Sequence, residues 1–305
     1  MMYSIVIPVF RGSETITILF DLIRKSFEKL NFEYEVILVF DGGEPQSWNV
    51  IKSLVEENPT LVKGIKLSRN FGQHNATICG FKYVKGDFII TIDEDIQHHP
   101  EDFKLLIEKQ LENDYDLVYG NYLVRKHSFF RNITSNSLNL LLKVGIPDLH
   151  SNYTSFRLIK ASIAKKTLEM NNSYTFLDGY FSWITDNVAS VNVNHHPSVA
   201  NSSAYNLRKL ITHSINIFLT FSNFPIRLIT WISATLTLFS LIYGGYILVR
   251  KFLYNDFVSG FATFAVLGSF GLAILLFSLS VIGEYIFRIS LKTTQRPNFN
   301  ESEII

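Results

Sequence analysis

An acidic segment at residues 91–97 has the residue types and spacing that hold a divalent cation. It follows the apolar run 88–90, which predicts a short buried strand, so Asp93, Glu94 and Asp95 fall where that strand enters a loop. Carboxylates this close raise each other's pKa unless a cation lies between them. Mg2+ and Mn2+ prefer oxygen ligands and often bind together with a substrate diphosphate. A solvated acidic turn is the alternative interpretation.

The side chains of this segment are not equivalent. Asp93 and Asp95 alternate toward one side together with Gln97. Glu94 is expected to point away from them and to tolerate substitution best. Asp41 ends a second apolar run at 35–40, where an acid suits a hydrogen bond to a nucleoside base or ribose. A turn-capping role for Asp41 remains equally open.

The elements that must position these acids alternate in type. Predicted strands lie at 3–9, 35–40, 64–67, 87–92 and 116–120, and predicted helices at 14–30, 48–57, 75–84 and 100–111. This alternation predicts a mostly parallel sheet with helices on both faces. Ligands bind such sheets outside the carboxyl ends of the strands, so Asp41 and the acidic segment should face one cleft. No G-x-G-x-x-G follows the first strand, which disfavours a dinucleotide site.

Basic residues follow the last of these strands. Arg125, Lys126, His127 and Arg131 precede a predicted helix at 133–144. A diphosphate-bearing substrate needs such side chains beside a metal, because the cation takes one set of phosphate oxygens and arginine forks take others. A solvated helix start is the alternative.

Composition narrows the class of protein. The chain has 305 residues, 47% of them hydrophobic, and a net charge of +1, which gives no case for a nucleic-acid-binding protein. Its single cysteine, Cys79, excludes an intramolecular disulfide and a cysteine-based zinc cluster. Cys79 lies in an apolar stretch and is expected to be a small core residue.

The hydrophobicity is concentrated toward the C-terminus. The runs 228–248 and 258–281 carry no charge, and each is long enough for a helix of about 30 Å, which spans a bilayer core. We therefore predict a catalytic domain at 1–204, an amphipathic interfacial helix at 205–225, a transmembrane hairpin at 226–290 with spans at about 228–249 and 258–282, and a tail at 291–305. Two buried core helices are the alternative.

Basic residues flank both ends of this hairpin. They are Arg208, Lys209 and Arg227 before it, and Arg288, Lys292 and Arg296 after it. The positive-inside rule then puts the catalytic domain and both termini in the cytoplasm, with two spans in the inner or plasma membrane. Uncharged helix faces with Gly and Ser would permit a homo-oligomer.

An ordered set of segments carries a family resemblance. They are 5–9, 70–75, 91–97 with Pro100, 155–157, 205–210, 225–227, 283–286 with Arg288, and 296–297. Together they resemble the family 2 glycosyltransferases that make polyprenyl-phosphate sugars, a group with dolichyl-phosphate mannose synthases, bactoprenol glucosyltransferases and aminoarabinose-type transferases. The chain departs from that pattern at Phe40 and at residues 10–12, both near the expected nucleotide pocket.

The resemblance implies a GT-A fold and an inverting transfer of sugar from a nucleotide sugar to a polyprenyl phosphate, undecaprenyl phosphate in bacteria. The donor would be UDP-glucose or a related UDP, dTDP or GDP sugar, and the cofactor Mg2+ or Mn2+. It implies that Asp93, Asp95 and Gln97 surround the metal and the diphosphate. The other roles it implies are donor binding by Pro8, Asp41, Arg69 and Asp93; phosphate or acceptor binding by Arg125, Arg131, Ser155, Arg157, Arg208 and Lys209; and an acceptor-side or structural role for Asp178.

The expected acceptor simplifies the chemistry. A phosphate monoester has a second pKa near 6, so it is largely dianionic at neutral pH and needs no strong general base. Catalysis would then rest on positioning two anions and stabilising the departing nucleoside diphosphate.

Two rival functions remain. A processive polysaccharide synthase usually carries Gln-x-x-Arg-Trp, and this chain has only the tryptophan, Trp183, without either partner. A membrane-anchored nucleotide-sugar binder would keep the metal loop and lack an acceptor site. Residues 155–157 and the pair Arg208 and Lys209 argue against it.

Overall fold

The computed structural model describes residues 1–122, 146, 149–170, 172, 174–194, 207–222, 224–254, 260–293 and 297–305. In chain order the elements are β1 (Met2–Val9), α1 (Ile16–Leu30), β2 (Glu33–Phe40), α2 (Pro45–Glu57), β3 (Val62–Leu67), α3 (Gln73–Phe81), β4 (Phe88–Thr91), α4 (Phe103–Asn113), β5 (Leu117–Tyr122), β6 (Arg157–Lys160), α5 (Ala161–Lys166), α6 (Leu177–Ile184), β7 (Val188–Val193), α7 (Leu207–Phe221), α8 (Phe224–Tyr254), α9 (Phe261–Thr293) and β8 (Glu301–Ile304). The predicted alternation of strands and helices is confirmed.

One mixed sheet organises the part of the chain that the structure describes. Its strand order is β7-β5-β6-β4-β1-β2-β3-β8. Strands β1, β2, β3 and β4 run parallel, whereas β6 is antiparallel to β4 and β5, and β8 is antiparallel to β3. Val9 pairs with Phe40 in the register of β1 and β2. The carboxyl ends of β1, β2 and β4 therefore meet at one edge of the sheet, as the position of the acids requires.

Helices cover both faces of this sheet, and the strands alternate between two cores. Ile5 and Ile7 of β1 pack with α1 on one side, while Val6 packs on the other side with residues of α3 such as Cys79. Parallel strands buried on both faces read as continuous apolar runs, which is why they were visible in the sequence. Cys79 is fully buried, and burial raises the pKa of its thiol to about 12, so its expected core position is confirmed.

The C-terminal residues differ from their expected form. The sequence predicts a tail at 291–305, whereas β8 forms an edge strand on β3. Glu301 accepts hydrogen bonds from the Lys82 ammonium at 2.8 Å and the Tyr83 hydroxyl at 2.9 Å. Glu303 pairs with Lys52 at 3.1 Å. A short strand that alternates charged and apolar residues gives little sequence signal, because only its long-range partners stabilise it.

The long helices follow the catalytic domain. Helix α7 packs Ile217 and Phe221 into the core formed partly by α6. Among the described residues, Phe270–Ser290 is long and apolar enough to cross a membrane, and it is not buried. The helices Ile215–Phe221 and Phe224–Leu236 are bent by 74° relative to each other. They give a second span only if the pair is counted as one membrane-crossing segment. The hairpin with two spans remains a prediction.

A polar cluster fixes the end of α9 to α7. The Arg288 guanidinium donates to Thr220 Oγ1 at 3.0 Å and to Asn216 Oδ1 at 3.2 Å, and it pairs with Glu284. The Tyr285 hydroxyl donates to the Ser222 carbonyl at 3.2 Å. These contacts connect the long helices to the domain that carries the acidic cleft.

Candidate active site

A cleft opens at the carboxyl ends of β1, β2 and β4. Its volume is about 310 Å3. The residues that line it are Pro8, Val9, Phe10, Asp41, Asn70, Gly72, Gln73, Asp93, Glu94 and Asp95. The structure therefore brings Pro8, Asp41, Asp93 and Asp95 together, although several strands and helices lie between Pro8 and Asp95 in the chain.

Asp93 is held at the base of this cleft by two side chains. The Gln73 amide donates to one carboxylate oxygen, and the Ser155 hydroxyl donates to the other at 2.5 Å. Burial raises the pKa of Asp93 to about 6, and the neighbouring Asp95 charge adds to that rise, while Ser155 and Arg157 oppose it. A bound cation would lower the cost of ionising this half-buried carboxyl group.

Asp95 lies two residues after Asp93, at the start of a strained turn. Its carboxylate accepts the backbone N–H of Gln97 at 3.1 Å. Between them, Ile96 has φ of 59°, in the left-handed region that β-branched residues rarely adopt, at a cost of about 1–3 kcal/mol. Ile96 is only 5% exposed, so burial holds this conformation. The turn puts Asp95 on the cleft, but it does not bring Gln97 among the lining residues.

The prediction that Glu94 points away from the site is wrong. Glu94 lines the cleft, and its carboxylate accepts the backbone N–H groups of Phe10 and Arg11, each at 3.0 Å. The strand ends at Thr91, so strict alternation of side chains no longer applies at position 94. Burial raises the pKa of Glu94, and the two N–H groups oppose that rise.

Asp41 holds a neighbouring loop. Its two carboxylate oxygens accept the backbone N–H groups of Phe71 at 2.7 Å and Gly72 at 2.8 Å. Burial raises its pKa, and these hydrogen bonds oppose the rise. The contact fixes the start of α3 and so places Gln73 against Asp93. Asp41 thus lines the cleft and caps a turn, and a hydrogen bond between its carboxylate and a nucleoside remains a prediction.

Arg157 and Asp178 form a buried ion pair beneath the acidic loop. Their side chains are 3% and 4% exposed. The Tyr119 hydroxyl donates to Asp178 at 2.9 Å, and the Arg157 Nε donates to Thr91 Oγ1 at 3.2 Å. Burial raises the pKa of Asp178, whereas the Arg157 charge opposes the rise. The structure places neither side chain on the lining of the cleft.

The other candidate residues are more dispersed. Ser155 reaches the site through Asp93, whereas the exposed Arg69 guanidinium lies 4.8 Å from the centre of the Phe71 ring, outside the lining. Arg125 and Arg131 lie outside the described residues. Arg208 and Lys209 belong to the first turn of α7, and their side chains also lie outside the described part.

Six residues of the cleft were not predicted as site residues from the sequence. They are Val9, Phe10, Asn70, Gly72, Gln73 and Glu94. Val9 lies in the segment 5–9, and Asn70, Gly72 and Gln73 lie in the segment 70–75. Both segments carried the resemblance, so these motifs could have identified the four residues. The backbone N–H of Phe10 donates to the Glu94 carboxylate, and no sequence pattern predicts a contact of that kind.

Two acids of the cleft could hold a divalent cation together with a bound substrate. In the described residues, no group of three or more His, Cys, Asp or Glu side chains converges on one point. Asp93 and Asp95 supply two carboxylates, and Mg2+ typically binds one or two carboxylates together with substrate phosphates and waters. The donor set therefore fits a cation that binds with a diphosphate.

The fold and the acidic cleft together define a GT-A-like α/β protein. A family model described as glycosyl transferase family 2 matches residues 4–168. The chain belongs to glycosyl transferase family 2, and the resemblance found in the sequence is confirmed.

Two relatives match nearly the whole chain. The bactoprenol glucosyl transferase of Shigella phage SfX is 29% identical over 98% of this chain and 98% of its own length. An undecaprenyl-phosphate 4-deoxy-4-formamido-L-arabinose transferase of Shewanella sediminis is 28% identical over 99% of this chain and 92% of its own length.

Solved structures resemble the catalytic domain. Glucosyl-3-phosphoglycerate synthase from Mycobacterium tuberculosis, in complex with phosphoglyceric acid, aligns with a TM-score of 0.52 at 18% identity, over 72% of this chain and 78% of that chain. The same enzyme in complex with Mn2+ and UDP-glucose aligns with a TM-score of 0.51 at 18% identity, over 72% and 77% of the two chains. At this identity the likeness shows the fold alone.

Proposed function

We propose that this glycosyltransferase moves a sugar from a nucleotide sugar to a polyprenyl phosphate, with inversion at the sugar's anomeric carbon. The observation that carries the proposal is the match, along almost the full chain, to two transferases whose names specify undecaprenyl phosphate and bactoprenol. The acidic cleft at the strand ends supports it, because a nucleoside diphosphate needs such a site. The donor is UDP-glucose or a related UDP, dTDP or GDP sugar.

The donor's diphosphate would lie beside Asp93 and Asp95. When bound there, Mg2+ or Mn2+ would neutralise charge on the departing nucleoside diphosphate. Gln73 and Ser155 orient the Asp93 carboxylate, and the strained turn at Ile96 orients Asp95. A solved structure of the same fold with Mn2+ and UDP-glucose supports a role for the metal.

The acceptor would enter as a phosphate that is already ionised. A dianionic phosphate can attack the anomeric carbon without giving a proton to the protein. Asp178 then has no proton to accept, and its buried pair with Arg157 supports a structural role for both residues. A structural role is therefore proposed for Arg157 in place of the phosphate binding that the resemblance implies.

The long helices would keep the cleft at the membrane, where a polyprenyl tail must remain. Helices α8 and α9 would form the two spans, α7 would lie along the surface, and both termini would face the cytoplasm. The hydrogen bonds of Arg288 to α7 support this arrangement, since they join α9 to the domain that holds the site.

The test is to incubate membranes that contain the chain with a panel of radiolabelled nucleotide sugars. A labelled product that extracts into organic solvent and is released by mild acid supports the proposal. A long water-soluble polymer would indicate a processive synthase. Absence of any product, with the chain present in the membrane, would indicate a binder without transferase activity.

A further inference from the structure

We propose that Glu94 is a positioning residue for the donor nucleotide, because it joins the acidic loop to the turn after β1. The proposal rests on the proposed function, since it assigns a role within the same cleft. Glu94 is not one of the residues proposed to hold the metal, which are Asp93 and Asp95.

The contact between Glu94 and the turn is bidentate. One carboxylate oxygen accepts the Phe10 N–H and the other accepts the Arg11 N–H, each at 3.0 Å. Two hydrogen bonds from consecutive backbone groups to one carboxylate fix both its distance and its orientation, and the charge strengthens each of them. A Cβ at position 12 would lie 2.6 Å from the Glu94 Oε2 atom, so Gly12 gives the carboxylate room.

The turn that Glu94 holds forms one wall of the cleft. Phe10 lines the cleft, and its side chain is 37% exposed. From the opposite side, the Glu44 N–H donates to the Phe10 carbonyl at 2.9 Å. The turn is thus fixed between the loops that follow β2 and β4. An exposed aromatic ring in this position can stack against a nucleoside base.

The acidic loop forms the other functional end of the cleft. Asp93 and Asp95, on either side of Glu94, are the proposed partners of the metal and the diphosphate. Glu94 therefore sets the distance between the surface for the base and the carboxylates for the diphosphate. A nucleotide that binds both ends gains from this fixed spacing, since no rearrangement is needed on binding.

The experiment measures nucleotide affinity directly. The full chain in detergent is titrated with UDP, dTDP and GDP, each with MnCl2, by isothermal titration calorimetry. The variants are Glu94→Ala, Glu94→Gln and the control Glu44→Gln, which removes an exposed charge near the same turn. Melting temperatures are measured on the same samples.

Glu94→Ala is expected to weaken the tightest nucleotide at least about tenfold, since one hydrogen bond to a charged group is worth about that factor. The nucleotide affinity of Glu94→Gln should lie between those of Glu94→Ala and the unaltered protein. The amide keeps one acceptor but turns a donor toward the second N–H. Glu44→Gln should bind as the unaltered protein does.

The outcomes separate this inference from the proposed function. If the unaltered protein binds none of the three nucleotides, the proposed function itself fails. If it binds one and Glu94→Ala binds equally well, Glu94 does not position the nucleotide, whether or not the variant melts earlier. If Glu94→Ala does not fold, Glu94→Gln decides: a raised donor KM with an unchanged acceptor KM supports the inference, and an unchanged donor KM overturns it.

Discussion

Removal of the Asp178 carboxylate should unfold the protein more easily rather than block a chemical step. Asp178→Ala leaves the Arg157 guanidinium, 3% exposed, without its counter-charge. The surroundings are aromatic, with the Phe181 and Tyr119 rings 5.6 and 5.8 Å from the guanidinium carbon. Breaking one side of such a buried pair costs about 3–5 kcal/mol of unfolding free energy.

Two further variants separate charge from packing. Asp178→Asn keeps an acceptor for the Tyr119 hydroxyl and loses the charge, so we expect a loss of about 2 kcal/mol, within the range for a hydrogen bond to a charged group. The double variant Arg157→Met, Asp178→Leu removes both charges at once. It should recover most of the stability, because apolar replacement of a buried pair is often close to neutral.

The assay is denaturant unfolding of the full chain in detergent, with transfer activity measured on the same samples at a temperature where each variant is folded. Transfer should follow the folded fraction for Asp178→Asn. The reasoning is refuted if Asp178→Asn unfolds like the unaltered protein but no longer transfers sugar, since that result would make Asp178 a catalytic group.

Three other contacts give predictions. Ser155→Ala removes a donor to the half-buried Asp93 and should lower kcat by about tenfold, the effect of one charge-assisted hydrogen bond. A kcat equal to that of the unaltered protein would exclude this role. Glu301→Ala removes the partner of Lys82 at an edge strand and should lower the unfolding free energy by about 1 kcal/mol or less, measured by denaturant unfolding, without changing donor KM. Arg288→Ala should raise the KM for a long-chain polyprenyl phosphate and leave nucleotide affinity unchanged; equal KM values for the two proteins would contradict the proposed link between α9 and the cleft.

Much of the fold was predictable because its strands are buried on both faces. Continuous apolar runs marked β1, β2 and β4, and the rule for strand ends then placed Asp41 and Asp93 on one cleft. Strands β6, β7 and β8 were not predicted. Of these, β8 is a short edge strand whose stability comes from long-range partners such as Lys82 and Tyr83.

The directions of individual side chains were less predictable. Beyond Thr91 the backbone leaves the strand, and Ile96 adopts a left-handed conformation, so the alternation that was applied to the acidic segment fails for Glu94. For Asp178 the resemblance left an acceptor-side and a structural role open. Its buried ion pair with Arg157, which favours the structural role, is visible only in the fold.

The protein is proposed to transfer sugar to a lipid phosphate at the acidic cleft in a metal-dependent reaction. The most direct measurement uses the purified full chain in detergent with undecaprenyl phosphate, MnCl2 and the radiolabelled nucleotide sugar that the membrane assay selects, beside Asp95→Ala and a sample with excess EDTA. We expect lipid-extractable, acid-labile label with the unaltered protein and none in the other two samples. Equal product from Asp95→Ala, or full product in EDTA, would contradict the claim.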